Sequence, residues 1–233
     1  MIEGVKQQKW WGWGEEGHAY RYEDKPKFAP FVQRLVGVDI TKPVQSVPPF
    51  SSLQIPPSQL SDELHTQLDE ILGAKYVQTD DETRVVHAFG KGVRDLVRVR
   101  RGDLGRLPDV VLYPGTQGEV ERVVDVVLAA DAVLIPFGGG SNIVAALEAE
   151  PGEIRQVISM NMGRLNKVLE IDEQSGLAHI QAGVFGPDME DQLQARGWTM
   201  GHHPDSFVWS TLGGWIATRS SGMQSDKYGD IAD

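Results

Sequence analysis

The chain predicts an α/β (α+β) fold of two small subdomains, led in by a helical and extended N-terminal stretch. Three observations carry that reading. Two apolar runs, Val110–Leu112 and Val133–Ile135, flank a segment of helical periodicity, the pattern of a βαβ unit in a parallel sheet. Three more strand-like runs and a helix follow between residues 157 and 197. Glycine-rich polar segments then recur, at 138–140 and at 213–214. With 233 residues, 40% of them apolar, the chain is long enough to bury a substantial core.

Taken in order, the first segment holds a tryptophan cluster, Trp10, Trp11 and Trp13, which reads either as packing against the main domain or as a docking anchor. Residues 41–58 carry Pro43, Pro48, Pro49, Pro56 and Pro57. Each proline fixes φ and removes a donor, so an extended arm is predicted. Residues 61–73 read as a helix with Leu64, Leu68, Ile71 and Leu72 on one face and Gly73 at the cap. Residues 1–105 are thus expected to form an N-terminal extension, and residues 106–233 the binding domain.

Within that domain Val110–Leu112 is a buried strand. Thr116 and Glu119 make a capping box for a helix bearing Val120, Val123, Val124, Val127 and Leu128. The strand Val133–Ile135 follows. Further strands are predicted at Val157–Ser159, Val168–Ile171 and Ala178–Gln181, the last two joined by a turn at 173–176. Pro187 starts a helix that Gly197 stops.

Charge and composition exclude several functions. A net charge of −11 with no compensating basic run opposes binding to nucleic acid or anionic lipid. The absence of cysteine rules out disulfides, thiolate metal sites and a cysteinyl cofactor link. The first residues lack an apolar signal core, so a soluble, cytoplasmic protein is expected.

The candidate ligand site begins at Pro136, Phe137, Gly138, Gly139, Gly140, Ser141 and Asn142. Three consecutive glycines after a strand let successive main-chain N–H groups point into one concavity and hold a phosphate. In this loop Ile143 stands where the G-x-G-x-x-G fingerprint needs glycine, and no G-x-x-x-x-G-K-[ST] loop occurs, so a nicotinamide-type Rossmann site or P-loop is disfavoured. The second part runs through Asp205, Ser206, Ser210, Thr211, Gly213, Gly214, Thr218, Arg219, Ser220 and Ser221. Its hydroxyls can donate to phosphate or ribose oxygens, and the two segments are expected to clamp one extended diphosphate. Asp205 would repel phosphate and is assigned to capping nearby backbone donors. Arg219 reads equally as a diphosphate counter-charge or a surface ion pair. His202 and His203 point to opposite faces of an extended segment and leave too few ligands for a metal.

The segment from Pro204-Asp205-Ser206 to Ser210-Thr211-Leu212-Gly213-Gly214, continued by Ala217-Thr218, resembles the flavin-binding domain of the vanillyl-alcohol oxidase, D-lactate dehydrogenase and glycolate dehydrogenase relatives, the PCMH-type domain. Lys9–Gly14, Arg106–Leu112 and the block from Gly201 to Asp233 narrow the resemblance to the alkyldihydroxyacetonephosphate synthases, flavoenzymes of ether-lipid synthesis. This resemblance implies FAD. With Ser141 and Asn142 in place of the histidine that some relatives carry in the glycine loop, the FAD is expected to be noncovalent. It further implies acyl-dihydroxyacetone phosphate and a fatty alcohol as substrates. In that family the flavin N5 carries the dihydroxyacetone phosphate fragment while alcohol replaces the acyl group. A homodimer, membrane contact outside this segment, and a peroxisomal location in animal-type homologues are compatible with it. An FAD-linked oxidoreductase of D-2-hydroxy acids or related alcohols is the alternative. The family's acid/base tyrosine, histidine cluster and phosphate-binding arginine fall beyond Asp233, as does a later strand completing the flavin pocket. No catalytic residue is therefore assigned, and the chain is expected to be a fragment incomplete at its C-terminus.

Overall fold

The computed structural model describes residues 2–18, 22–42 and 47–232. Pro43 of the predicted arm and Asp233 of the final block lie outside them. Two sheets organise the described residues. Strands β1 (Val77–Gln78), β2 (Val110–Leu112), β3 (Val133–Phe137) and β4 (Val157–Asn161) lie in the order β1-β2-β4-β3, with β2, β4 and β3 parallel and β1 antiparallel at one edge. The central strand β4 is buried along its whole length. Pro136, which cannot donate to a ladder, sits in the edge strand β3. Strands β5 (Val168–Asp172) and β6 (Leu177–Ile180) form a separate antiparallel hairpin with a bulge between Val168 and Glu170.

Helices α1 (Phe28–Val36), α2 (Asp62–Leu72), α3 (Asp81–Val86) and α4 (Val93–Arg100) precede β2. Helix α5 (Gln117–Ala129) joins β2 to β3; α6 (Gly186–Gln194), α7 (Leu212–Thr218) and α8 (Ser225–Tyr228) follow β6. Caps set the limits of several. Ser61 accepts from the Leu64 N–H to start α2, and Thr116 accepts from Glu119 N–H to start α5. The reciprocal half of the predicted capping box shifts by one residue, since the Glu119 carboxylate takes the Gly115 N–H at 2.6 Å. Gly73 has the positive φ the cap requires, 83°, but its ψ of 141° continues into an extended turn rather than a left-handed one.

Leu64, Leu68 and Leu72 of α2, Val123 and Val127 of α5, and Val110, Leu112 and Ile158 of the sheet make one core. The helix ahead of residue 106 therefore shares its apolar interior with the strands behind it. Leu128, placed by periodicity on the same face of α5, is instead 72% exposed. A second core gathers Trp10, Val85, Phe89, Val99 and Leu107, against which Val47, Phe50, Leu53 and Ile55 of the arm pack. Trp10 is buried there, edge-on to Phe50 at 5.6 Å, so this tryptophan packs against the main domain. The third core, with Val184, Met189, Leu193, Leu212 and Trp215, belongs to the second lobe.

Candidate functional site

The glycine loop leaves the carboxyl end of β3, the side on which open parallel sheets take ligands. Its glycines allow two segments far apart in sequence to interlock. A Cβ on Gly138 would lie 2.2 Å from Thr211 Oγ1, and one on Gly139 would lie 2.0 Å from the Trp209 carbonyl oxygen. Gly140 adopts φ +64° over the Phe137 ring. The two predicted segments are thus in direct contact. Among the described residues, none accepts a hydrogen bond from the main-chain N–H groups of Gly138, Gly139, Gly140, Ser141 or Asn142. Two of the loop's carbonyls are held: that of Gly139 by Gln8 Nε2 at 2.7 Å, that of Asn142 by the Lys91 N–H at 2.8 Å. Free donors around fixed carbonyls make a concavity suited to an anion.

The second segment divides into a wall and a set of free groups. Ser210 donates from Oγ to the Ser206 carbonyl at 2.8 Å and accepts from Trp215 Nε1 at 2.6 Å, so its hydroxyl is committed within the protein. Thr211 caps α7, while Leu212 and Gly213 donate to the carbonyls of Val184 and Ala182. The first N–H groups of that short helix are therefore satisfied internally. Thr218 bonds back to the Gly214 carbonyl, and Ser220 Oγ meets His202 Nε2 at 2.7 Å. Phe137 is core, and Asn142 Oδ1 accepts from the Ala146 N–H.

The side chains of Ser141, Ser206, Arg219 and Ser221 make no hydrogen bond or ion pair with any described residue. Gly214 and Pro136 are exposed. Arg219 ends α7 at φ 49°, a left-handed conformation that a non-glycine residue seldom takes. Asp205 corrects an expectation: its carboxylate is exposed and caps no backbone donor among the described residues. His202 turns inward against Trp215 at 5.1 Å, whereas His203 lies on Phe207 at 4.7 Å. Among the described residues, no cluster of three or more His, Cys, Asp or Glu is placed to hold a metal.

Several residues near the loop carried no signal in the sequence. A cavity of about 230 Å³ lies below it at the ends of β2, β3 and β4, lined among others by Gln8, Thr83, His87, Tyr113, Phe137 and Asn161. His87 Nδ1 donates to the Thr83 carbonyl at 2.7 Å, which leaves Nε2 to accept from Asn161 Nδ2 at 2.8 Å. Burial pushes this imidazole down to about 4, with Lys91 adding to the fall and the Thr83 bond opposing it. Lys91 is itself lowered to about 8 by burial, against the pull of Asp95, and its ammonium donates to the Lys9 carbonyl at 2.9 Å. Only the Lys9–Gly14 motif hinted at this region, and periodicity could not say what it touched.

A mostly parallel sheet ending in a glycine loop, locked to a hydroxyl-bearing segment of a second lobe, defines an α/β domain of two interlocked lobes. Residues 108–233 match the family described as FAD binding domain. The chain is 40% identical over 256 residues to the alkyldihydroxyacetonephosphate synthase of Dictyostelium discoideum, covering 100% of this chain and 41% of that protein. It is 37% identical over 249 residues to the synthase of Trypanosoma brucei brucei, covering 99% and 41% respectively. A solved alkyldihydroxyacetonephosphate synthase superposes with a TM-score of 0.89 at 36% identity, over 97% of this chain and 44% of that one. The chain belongs to the FAD binding domain family and is a homologue of the alkyldihydroxyacetonephosphate synthases, spanning about two-fifths of their length.

Proposed function

We propose that this chain is the FAD-holding part of an alkyldihydroxyacetonephosphate synthase-like enzyme that exchanges the acyl group of acyl-dihydroxyacetone phosphate for a long-chain alcohol. The observation that carries the reading is the run of five amides at Gly138–Asn142, unbonded among the described residues and set against the Trp209–Thr211 backbone. These N–H groups suit the diphosphate of FAD, with Ser206, Ser221 and Arg219 as side-chain partners at its edge. Ser210, Thr211 and Gly213 shape the wall that the diphosphate lies against. The unit that holds the cofactor is taken as residues 106–233, with the N-terminal residues bracing it.

The Gly138–Asn142 amides, with Ser206, Ser221 and Arg219 at the edge, would hold FAD noncovalently, and the bound flavin would supply a nucleophilic ring nitrogen for the exchange. The protein's own part is to orient the cofactor. Substrate chemistry is assigned to residues outside this chain, in keeping with its share of the relatives' length. Among the described residues, no helix is long and apolar enough to cross a membrane, and we place the protein in the cytoplasm.

The test is a titration of the purified protein with FAD, read by quenching of flavin fluorescence, followed by denaturation. Saturable quenching with all flavin released into the supernatant supports noncovalent binding. No quenching, or flavin retained on the denatured chain, overturns it. With the full-length enzyme, exchange of acyl for alkyl supports the synthase reading; bleaching of the flavin by a D-2-hydroxy acid alone supports an oxidoreductase instead.

A further inference from the structure

The N-terminal tryptophan motif lies outside the Gly138–Asn142 and Asp205–Ser221 segments, yet the fold ties it to both. Gln8 and Glu15 pair as an antiparallel bridge, and the Lys9 N–H donates to the Gly14 carbonyl at 2.9 Å, so residues 8–15 form a small hairpin. Three contacts run outward from it. Gln8 donates to the Gly139 carbonyl across 131 residues of chain, in a buried setting. The Lys9 carbonyl takes the ammonium of Lys91, whose own N–H holds the Asn142 carbonyl. On the hairpin's returning limb Gly14 lies against the Trp209 ring, where a Cβ would come within 3.1 Å, and His18 meets that ring edge-on at 5.3 Å.

We infer that Gln8 is a positioning residue for the cofactor, aiming the Gly140 amide at the diphosphate by fixing the carbonyl of the same peptide unit. The inference rests on the FAD reading above. In a trans peptide the C=O and N–H point in opposite directions. A carbonyl of Gly139 tied to Gln8 therefore turns the Gly140 N–H away from the hairpin and into the concavity. Without that tie the peptide between two glycines can flip, because neither residue has a Cβ to oppose rotation. The Lys91 N–H likewise holds the Asn142 carbonyl at the loop's other end. The hairpin thus braces a loop whose amides at Gly138–Asn142 have no partner among the described residues, and does so without touching the ligand.

Substitution at Gln8 tests this. Gln8→Leu removes the donor and is expected to weaken FAD binding at least tenfold in fluorescence titration at every pH. Gln8→Glu is nearly isosteric and can donate to the Gly139 carbonyl only when protonated. Its FAD affinity, taken relative to wild type, is expected to rise as pH is lowered from 8 to 6, a trend that a purely structural role would not produce. Should Gln8→Leu fail to fold, Gln8→Glu carries the test alone. Wild-type affinity in Gln8→Glu across that range, with wild type binding FAD, overturns the positioning role while leaving the cofactor assignment standing. If wild type does not bind FAD, the cofactor reading falls and this role with it.

Discussion

Ser206 and Ser210 stand four residues apart with the same hydroxyl, and the fold gives them different surroundings. The Ser210 hydroxyl lies between the Ser206 carbonyl and the Trp215 indole, 4% exposed as a residue, so Ser210→Ala leaves a buried indole N–H without its acceptor. That loss is expected to cost about 1–3 kcal/mol of folding stability, measured by urea unfolding. Ser206 has no such partner; Ser206→Ala should leave stability unchanged and cost about 1–3 kcal/mol of FAD binding. Equal effects of the two variants on affinity would contradict this division. Gly139→Val meets backbone, since its Cβ would lie 2.0 Å from the Trp209 carbonyl and 2.8 Å from Ser210 Cα. Neither atom can rotate aside. The two loops must part, and FAD retention is expected to be lost while far-UV circular dichroism is largely kept. The glycines and hydroxyls were legible in the sequence because their pattern is local. Gln8 and His87 were not, because an isolated amide or imidazole says nothing about partners 131 and 74 residues away.

Among the elements, those with an apolar period and a cap could be read directly. Helix α2 occupies Asp62–Leu72 between the predicted Ser61 and Gly73, and β5 starts at Val168, the predicted first residue of that strand. Strand β6 begins one residue early, at Leu177, because the turn ends at Gly176. The missed elements lack that signal. Helix α3 is six residues long and buries Arg84, whose guanidinium donates to the carbonyls of Pro108 and Pro56, so its inner face looks charged in sequence. Helix α7 carries Gly213 and Gly214 in its first turn, and glycine there argues against helix until Ala182 and Val184 are seen to take its N–H groups. The Thr116 cap gives the element-level prediction. Thr116→Ala removes the acceptor for Glu119 N–H and should cost about 1 kcal/mol, whereas Thr116→Ser should cost a few tenths at most. Thermal unfolding of both variants checks it, and equal destabilisation would show that the cap bond is not the cause.

For the whole molecule, the βαβ signature and the turn between β5 and β6 were enough to announce two α/β lobes. The strand order was not legible: β4 enters between β2 and β3, a pairing set by contacts that local pattern does not encode. What joins the lead-in to the sheet is polar as well as apolar, and this makes stability depend on pH. Asp109, fully buried, takes Arg106 and the N–H groups of Gln59 and Val157; burial raises its pKa, but these bonds outweigh it and hold the carboxyl below its ordinary value. Its contribution is complete above the unfolded pKa and is lost as pH falls through the lower folded one, in strong acid. His87 acts earlier. Its folded value of about 4 lies below the ordinary 6.5, so between those values the unfolded chain binds a proton that the folded chain does not, and stability falls as pH falls. Each pH unit in that window is worth about 1.4 kcal/mol, so His87 alone removes on the order of 3 kcal/mol between pH 6.5 and 4. Protonation would set an imidazolium against Lys91 and turn Nε2 from acceptor to donor against the Asn161 amide. Unfolding free energies measured in urea from pH 7.5 to 4.5 should therefore slope by close to one proton below pH 6.5 in wild type, and His87→Gln should lose that slope while starting from a lower stability at pH 7.5. A slope retained in His87→Gln would assign the acid sensitivity to another group.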